Sequence, residues 1–287
     1  PTSTDNIMIG YDAGGGTWAN NDSNYNVGIG NYVMDAAMDG ALGNTSMGYR
    51  ALQQVTTGDY NTAIGHEAGN DIVSGHNNVL IGNNAGDKSS AGGYLVVIGD
   101  NAGGADITAA ADGTVAIGAD ALGALTSGGA NLAIGWQAGK LIVTGASNIA
   151  IGHQAYDAAD GAESHNIAIG QSALGDLNHD SATRNIAIGN YAGDGMSTLA
   201  SLDNIFVGYA SGGGAWTGTL SSYNVGVGNY VMGAAMNAAT YNTAIGYLAM
   251  GDLTTGIRNT AVGASTLKTL TTGDHNIGLG MLCLDNL

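Results

Sequence analysis

Asn61-Thr62-Ala63-Ile64-Gly65 is one of sixteen copies of a single pentapeptide, and the rest of the chain is spacer of nearly constant length between copies. The closing glycines are Gly10, Gly30, Gly48, Gly65, Gly82, Gly99, Gly118, Gly135, Gly152, Gly170, Gly189, Gly208, Gly228, Gly246, Gly263 and Gly280, separated by 17 to 20 residues. A fixed period just under twenty residues marks a solenoid in which each repeat is one coil. The first position of the pentapeptide is Asn in fourteen copies, with Leu95 and Thr114 the exceptions. Asparagine bonds to nearby backbone and tolerates turn conformations, so the spacing predicts a ladder of stacked asparagines at a corner. The second position is Ile, Val, Leu or Thr, and the fourth is Ile in eleven copies. Successive side chains of a strand alternate, which puts these two on one face and the small third position on the other. Neither face is polar, so the strand reads as covered on both sides.

Three residues past each glycine comes a second small position, Ala in eleven copies, with Ala68, Ala155 and Ala249 typical. It predicts a second short strand or a bend. A return turn follows, written most plainly as Thr56-Thr57-Gly58-Asp59 and Thr271-Thr272-Gly273-Asp274. Short apolar blocks, β-branched residues and 50 glycines oppose helix. The expectation is an all-β parallel β-roll or β-solenoid of about sixteen coils, each holding two strands of four or five residues and two turns. At a strand spacing of about 4.8 Å, the array would extend roughly 75 Å. Residues 1–287 read as one continuous array, a segment of a longer chain, with a super-repeat of 198 residues: 6–203, then 204–287 as a partial copy. Tyr11, Trp18 and Tyr32 recur across that offset as Tyr209, Trp216 and Tyr230.

Six basic residues stand against 23 acidic ones, a formal charge of −17. No basic patch exists to attract nucleic acid or anionic lipid, and no apolar run is long enough for membrane insertion. Cys283 is the single cysteine, which excludes an intrachain disulfide. The six histidines have no ligand spacing with cysteine or carboxylates, so no metal site is expected from them. Calcium at turn aspartates, as at Asp35/Asp39, Asp157/Asp160 and Asp176/Asp180, is the one cofactor considered, although the Gly-Gly-x-Gly-x-Asp nonapeptide of calcium rolls is absent. The glycine runs Gly14-Gly15-Gly16 and Gly212-Gly213-Gly214 read as wide turns seating Trp18 and Trp216. Flat rings suit sugar faces, so Trp18, Trp136 and Trp216 are the candidates for glycan contact, with packing as the plainer alternative.

The copies Asn61 to Gly65, Asn148-Ile149-Ala150-Ile151-Gly152 and Asn242-Thr243-Ala244-Ile245-Gly246 resemble the head repeat of trimeric autotransporter adhesins, the YadA-like β-roll. They are also similar to the NTAIG-type repeats, ending in a Thr-Thr-Gly turn, of bacteriophage tail fibres and large bacterial surface proteins. The resemblance covers the whole chain, and it departs in coil length, the adhesin repeat being shorter. It implies a left-handed parallel roll, a homotrimer, an extracellular or virion location and a role in attachment to a host-cell glycan or surface protein. It brings no catalytic residues. The expected function is a non-enzymatic structural or adhesive fibre, with two rivals: a subunit of a self-assembling extracellular filament joined end to end, and a polysaccharide-degrading tailspike.

Overall fold

The computed structural model describes residues 3–18, 21–196, 200–216 and 218–285. The chain is an all-β parallel β-solenoid whose described residues include sixteen strands of three residues each and one 3-10 turn, Ala109–Ala111. It divides into two compact units, Pro1–Ala146 and Ser147–Leu287. The first holds β1 (Ile7–Ile9), β2 (Val27–Ile29), β3 (Thr45–Met47), β4 (Thr62–Ile64), β5 (Val79–Ile81), β6 (Val96–Ile98), β7 (Val115–Ile117) and β8 (Leu132–Ile134). The second holds β9 (Ile149–Ile151), β10 (Ile167–Ile169), β11 (Ile186–Ile188), β12 (Ile205–Val207), β13 (Val225–Val227), β14 (Thr243–Ile245), β15 (Thr260–Val262) and β16 (Ile277–Leu279). Within each unit consecutive strands pair in parallel, with equal repeat positions opposite each other, as Thr62, Ala63 and Ile64 of β4 face Val79, Leu80 and Ile81 of β5.

Each coil carries one strand where the sequence suggests two. The reason lies in the backbone just after the strand. Gly65 has φ +144, and the residues two and four further on, Glu67 and Gly69, have φ +54 and +59. All sixteen coils repeat these left-handed positions, whichever residue occupies them: Asp12, Tyr32, Arg50 and Gln137 take the first, Met34, Leu52, Tyr156 and Leu267 the second. A chain that turns left-handed at alternate residues cannot extend, so the small Ala68 position lies in a bend. The bend is still bonded from coil to coil. Glu67 N–H donates to Tyr49 O in the preceding coil and Gly69 N–H to Ala85 O in the following one. A third left-handed residue, such as Tyr60 at φ +56, precedes each pentapeptide. Such conformations cost of order 1–3 kcal/mol apiece and persist only when neighbours over-determine them, which is what the coil-to-coil bonds do.

The interior is assembled from four positions per coil. The strand's middle residue points inward, and Ala63, Leu80, Ala133, Ala187 and Phe206 are all inaccessible. Beneath it lies the alanine of the bend, then the residue after that alanine, then a residue in the return segment such as Val55, Ile72, Leu125 or Leu253. Volume is exchanged among these positions within one coil. Where the middle residue is large, as at Met8, Leu80, Val97 and Phe206, the left-handed position four past the closing glycine is itself glycine: Gly14, Gly86, Gly103 and Gly212. A Cβ on Gly212 would stand 2.7 Å from the Phe206 ring. Where the middle residue is Ala or Ser, that position can hold Leu52, Leu122 or Met250 instead. Interiors are close-packed, so one cross-section admits one large side chain at this level.

The outward side answers which of the two apolar strand faces is covered by the chain itself. Positions two and four, the Ile and Val stripes, point away from the interior. Ile64 and Ile245 remain 38% and 43% accessible.

Candidate functional site

The outward strand face is the most distinctive surface of either unit. It carries two side chains per coil in register, apolar at the fourth position throughout and apolar or Thr at the second, for instance Val79 and Ile81 beside Val96 and Ile98, and aromatic rings flank it. In the first unit Tyr11, Tyr32, Tyr49 and His66 stand ring against ring, with centroids 5.4, 5.9 and 5.3 Å apart. In the second, Tyr191, Tyr209, Tyr230 and Tyr247 do the same at 5.8, 5.3 and 6.1 Å. These residues follow the closing glycine by one or two places. The opposite rim, just before the first pentapeptide position, exposes Tyr25, Tyr60, Tyr94, Tyr223 and Tyr241. The asparagines themselves lie inside as the expected ladder, Asn61, Asn148 and Asn242 among them.

The three tryptophans part company. Trp136, one residue past Gly135, is 45% accessible and offers its ring to solvent. Trp18 is half-buried, and its indole N–H donates to Gly14 O at 3.1 Å, so the glycine turn does seat it. Trp216 is 1% accessible and packs edge-on against Phe206 at 5.8 Å. This corrects the expectation of a surface contact there. The offset copy at Trp18 has Met8 where coil twelve has Phe206, and the larger Phe206 ring supplies a wall against which Trp216 turns inward.

Turn aspartates spend their oxygens on neighbouring coils. Asp59 Oδ1 accepts from Leu42 N–H at 2.8 Å, Asp274 Oδ1 from Ile257 N–H at 2.7 Å, and Asp39 Oδ1 from Asn21 N–H at 2.9 Å. That explains the Asp of the Thr-Thr-Gly-Asp turn as a clip between coils. Among the described residues no three His, Cys, Asp or Glu side chains converge as a metal cluster. A surface depression is lined by Asp35, Ala36, Gln53 and Gln54.

Asp157, Asp176 and Asp194 stand on successive coils and repel one another. Burial first, then Asp176 and Asp157, raise the Asp194 carboxyl to about 6. Burial likewise raises Asp157 and, against the opposing pull of Lys88, Asp87. The folded chain therefore holds the Asp194 proton more tightly than the unfolded chain does. The stabilising contribution is full below the ordinary value of 3.8 and is lost as pH rises through about 6. Asp194→Asn is expected to unfold at a higher denaturant concentration than wild type at neutral pH, with the two curves converging in acid. A difference between the two proteins that is the same at both pH values would disprove the raised Asp194 carboxyl.

What sequence reading missed is the return-segment core position and the left-handed triplet. The first has no fixed residue type, running from Ser89 to Trp216, and its distance from the glycine varies between seven and eight. The second is set by backbone bonding and leaves only a partial compositional trace: glycine marks it at Gly14, Gly69 and Gly86, but Asp, Tyr, Arg, Gln and Leu occupy it elsewhere. No family model, curated protein or solved structure matches the chain.

Proposed function

We propose that this chain is a non-enzymatic structural and adhesive fibre segment, the shaft or head of a bacteriophage tail fibre or bacterial surface adhesin, located on a virion or cell surface. In this reading, copies associate as a homotrimer through their outward strand faces. The observation that carries it is the accessibility of the second and fourth pentapeptide positions, coil after coil, in a chain whose inward face is filled by its own side chains. Monomeric soluble proteins rarely leave a continuous apolar patch larger than a few hundred Å² in water. The pentapeptide's likeness to adhesin and tail-fibre repeats supports the same conclusion. Attachment then works by multivalency, since similar coils repeat weak contacts along the chain. Trp136, 45% accessible, is the most exposed tryptophan and the one proposed to meet a host glycan.

Light scattering across a concentration series tests the assembly. A discrete mass of three chains is expected for the wild type. Ile64→Lys combined with Ile245→Lys, both on the outward face, is expected to give folded single chains with unchanged circular dichroism. A wild type that stays monomeric at every concentration would refute the proposal. Mass that grows without limit would favour the filament instead.

A further inference from the structure

We infer that Tyr223 and Tyr241 form an oxidative cross-linking site, where a one-electron oxidant joins the two phenols into dityrosine and staples neighbouring coils. The two rings lie 4.9 Å apart and only 2° from parallel. Both are open to solvent, at 43% and 53% accessibility, so an oxidant reaches them without unfolding. Each occupies the left-handed position before the pentapeptide asparagine, with φ +61 and +60. Their backbones are tied to successive coils, with Tyr241 N–H donating to Ser222 O and Tyr223 N–H to Leu202 O. The Arg258 guanidinium lies 5.7 Å from the Tyr241 ring centre and closes that end of the stack.

Orientation separates this pair from the other tyrosine pairs. Tyr11–Tyr32, Tyr32–Tyr49, Tyr191–Tyr209, Tyr209–Tyr230 and Tyr230–Tyr247 meet at 68 to 87°, aiming the edge of one ring at the face of the next. Coupling of two phenoxyl radicals requires the carbons ortho to oxygen to meet, and parallel rings bring them together by a small slide. Two such groups fixed side by side react as though at very high concentration. The chain also has thirteen tyrosines, one phenylalanine and one cysteine, so phenol coupling is the covalent rung open to it where disulfides are not.

The chemistry balances with hydrogen peroxide as the terminal oxidant, acting through a haem peroxidase. Each phenol loses one electron and its hydroxyl proton. The two ortho carbons bond, and the hydrogens they carried shift to the oxygens as both rings regain aromaticity. Peroxide takes up the two electrons and two protons and leaves as two waters.

The test treats the dilute full chain with peroxidase and hydrogen peroxide, then reads dityrosine fluorescence and maps cross-linked peptides by mass spectrometry. An intrachain species joining Tyr223 to Tyr241, lighter by two hydrogens, is expected. Tyr223→Phe and Tyr241→Phe, which keep the ring and lose the phenol, should each lower the intrachain signal at least about tenfold. Tyr230→Phe should leave it unchanged. A signal indifferent to both substitutions, a cross-link mapped to another pair, or coupling only between chains would overturn the assignment.

Discussion

Gly65→Ala is expected to unfold the array locally and cost more than about 4 kcal/mol, a loss far above that of an ordinary surface substitution. Two effects combine. The backbone of Gly65 sits at φ +144, where an L side chain is strained. An added Cβ would also stand 2.1 Å from Gly82 O and 2.6 Å from Gly82 C. Those atoms belong to the next coil's own glycine, which is backbone and cannot swing aside. The coils would have to separate, and separation breaks Gly82 N–H to Ile64 O at 2.9 Å together with its neighbours in the ladder. Gly113 is the matched control. It also has positive φ, +75, yet nothing lies within 4 Å of its virtual Cβ, so Gly113→Ala should cost only about 1 kcal/mol. Urea denaturation of both variants measures the difference. Equal midpoints would mean that the glycine column is fixed by backbone conformation alone and that contact between coils is irrelevant to it.

This column is also the reason the fold was legible. A glycine that must recur wherever two backbones touch leaves a periodic mark that no loop insertion erases, so the coil count and the parallel order could be read from Gly10 through Gly280. The Asn column and the Ala68 position were legible on the same ground, since most coils fill each repeated cavity with the same side chain, Asn in fourteen copies and Ala in eleven. Legibility ended where several residues satisfy one constraint. Left-handed φ values at Tyr32, Arg50 and Leu52 are imposed by bonds between coils, and nothing in those residue types announces them. The result was an expected second strand where the chain bends. The candidate site shows the same division. Alternation along Thr62-Ala63-Ile64 established two faces, but deciding which one was covered needed the volumes of Ile72, Leu80 and Leu52, contributed by three different coils around Gly69. Whether Trp216 packs or faces out was left open for a related reason: its burial depends on Phe206, a neighbour ten positions away whose ring fills the space that alanine leaves in half of the coils.

Asn61→Leu is the second substitution with a large expected effect, about 3 to 4 kcal/mol, and it tests whether the ladder holds the coils in register. Asn61 is fully buried. Its Nδ2 donates to Asn44 Oδ1 at 3.0 Å and to Gly75 O at 2.9 Å, and its Oδ1 accepts Asn78 N–H at 3.2 Å. Leucine occupies similar space and makes none of these bonds. It strands the Gly75 carbonyl and the Asn78 amide in the interior, at about 1–3 kcal/mol each. The chain contains its own version of this experiment. Leu95 N–H still donates to Asn78 Oδ1 at 2.9 Å, but Leu95 offers no oxygen to the coil that follows. One step on, the Thr114 hydroxyl is buried without a partner. The ladder is therefore interrupted between Asn78 and Asn131, and Thr114→Asn should raise the unfolding midpoint by the equivalent of about 1 kcal/mol. A loss at Asn61 together with a gain at Thr114 can only arise if the amide column itself stabilises the stack. If Asn61→Leu is tolerated instead, apolar filling of that corner suffices, and asparagine is retained there for register rather than for stability.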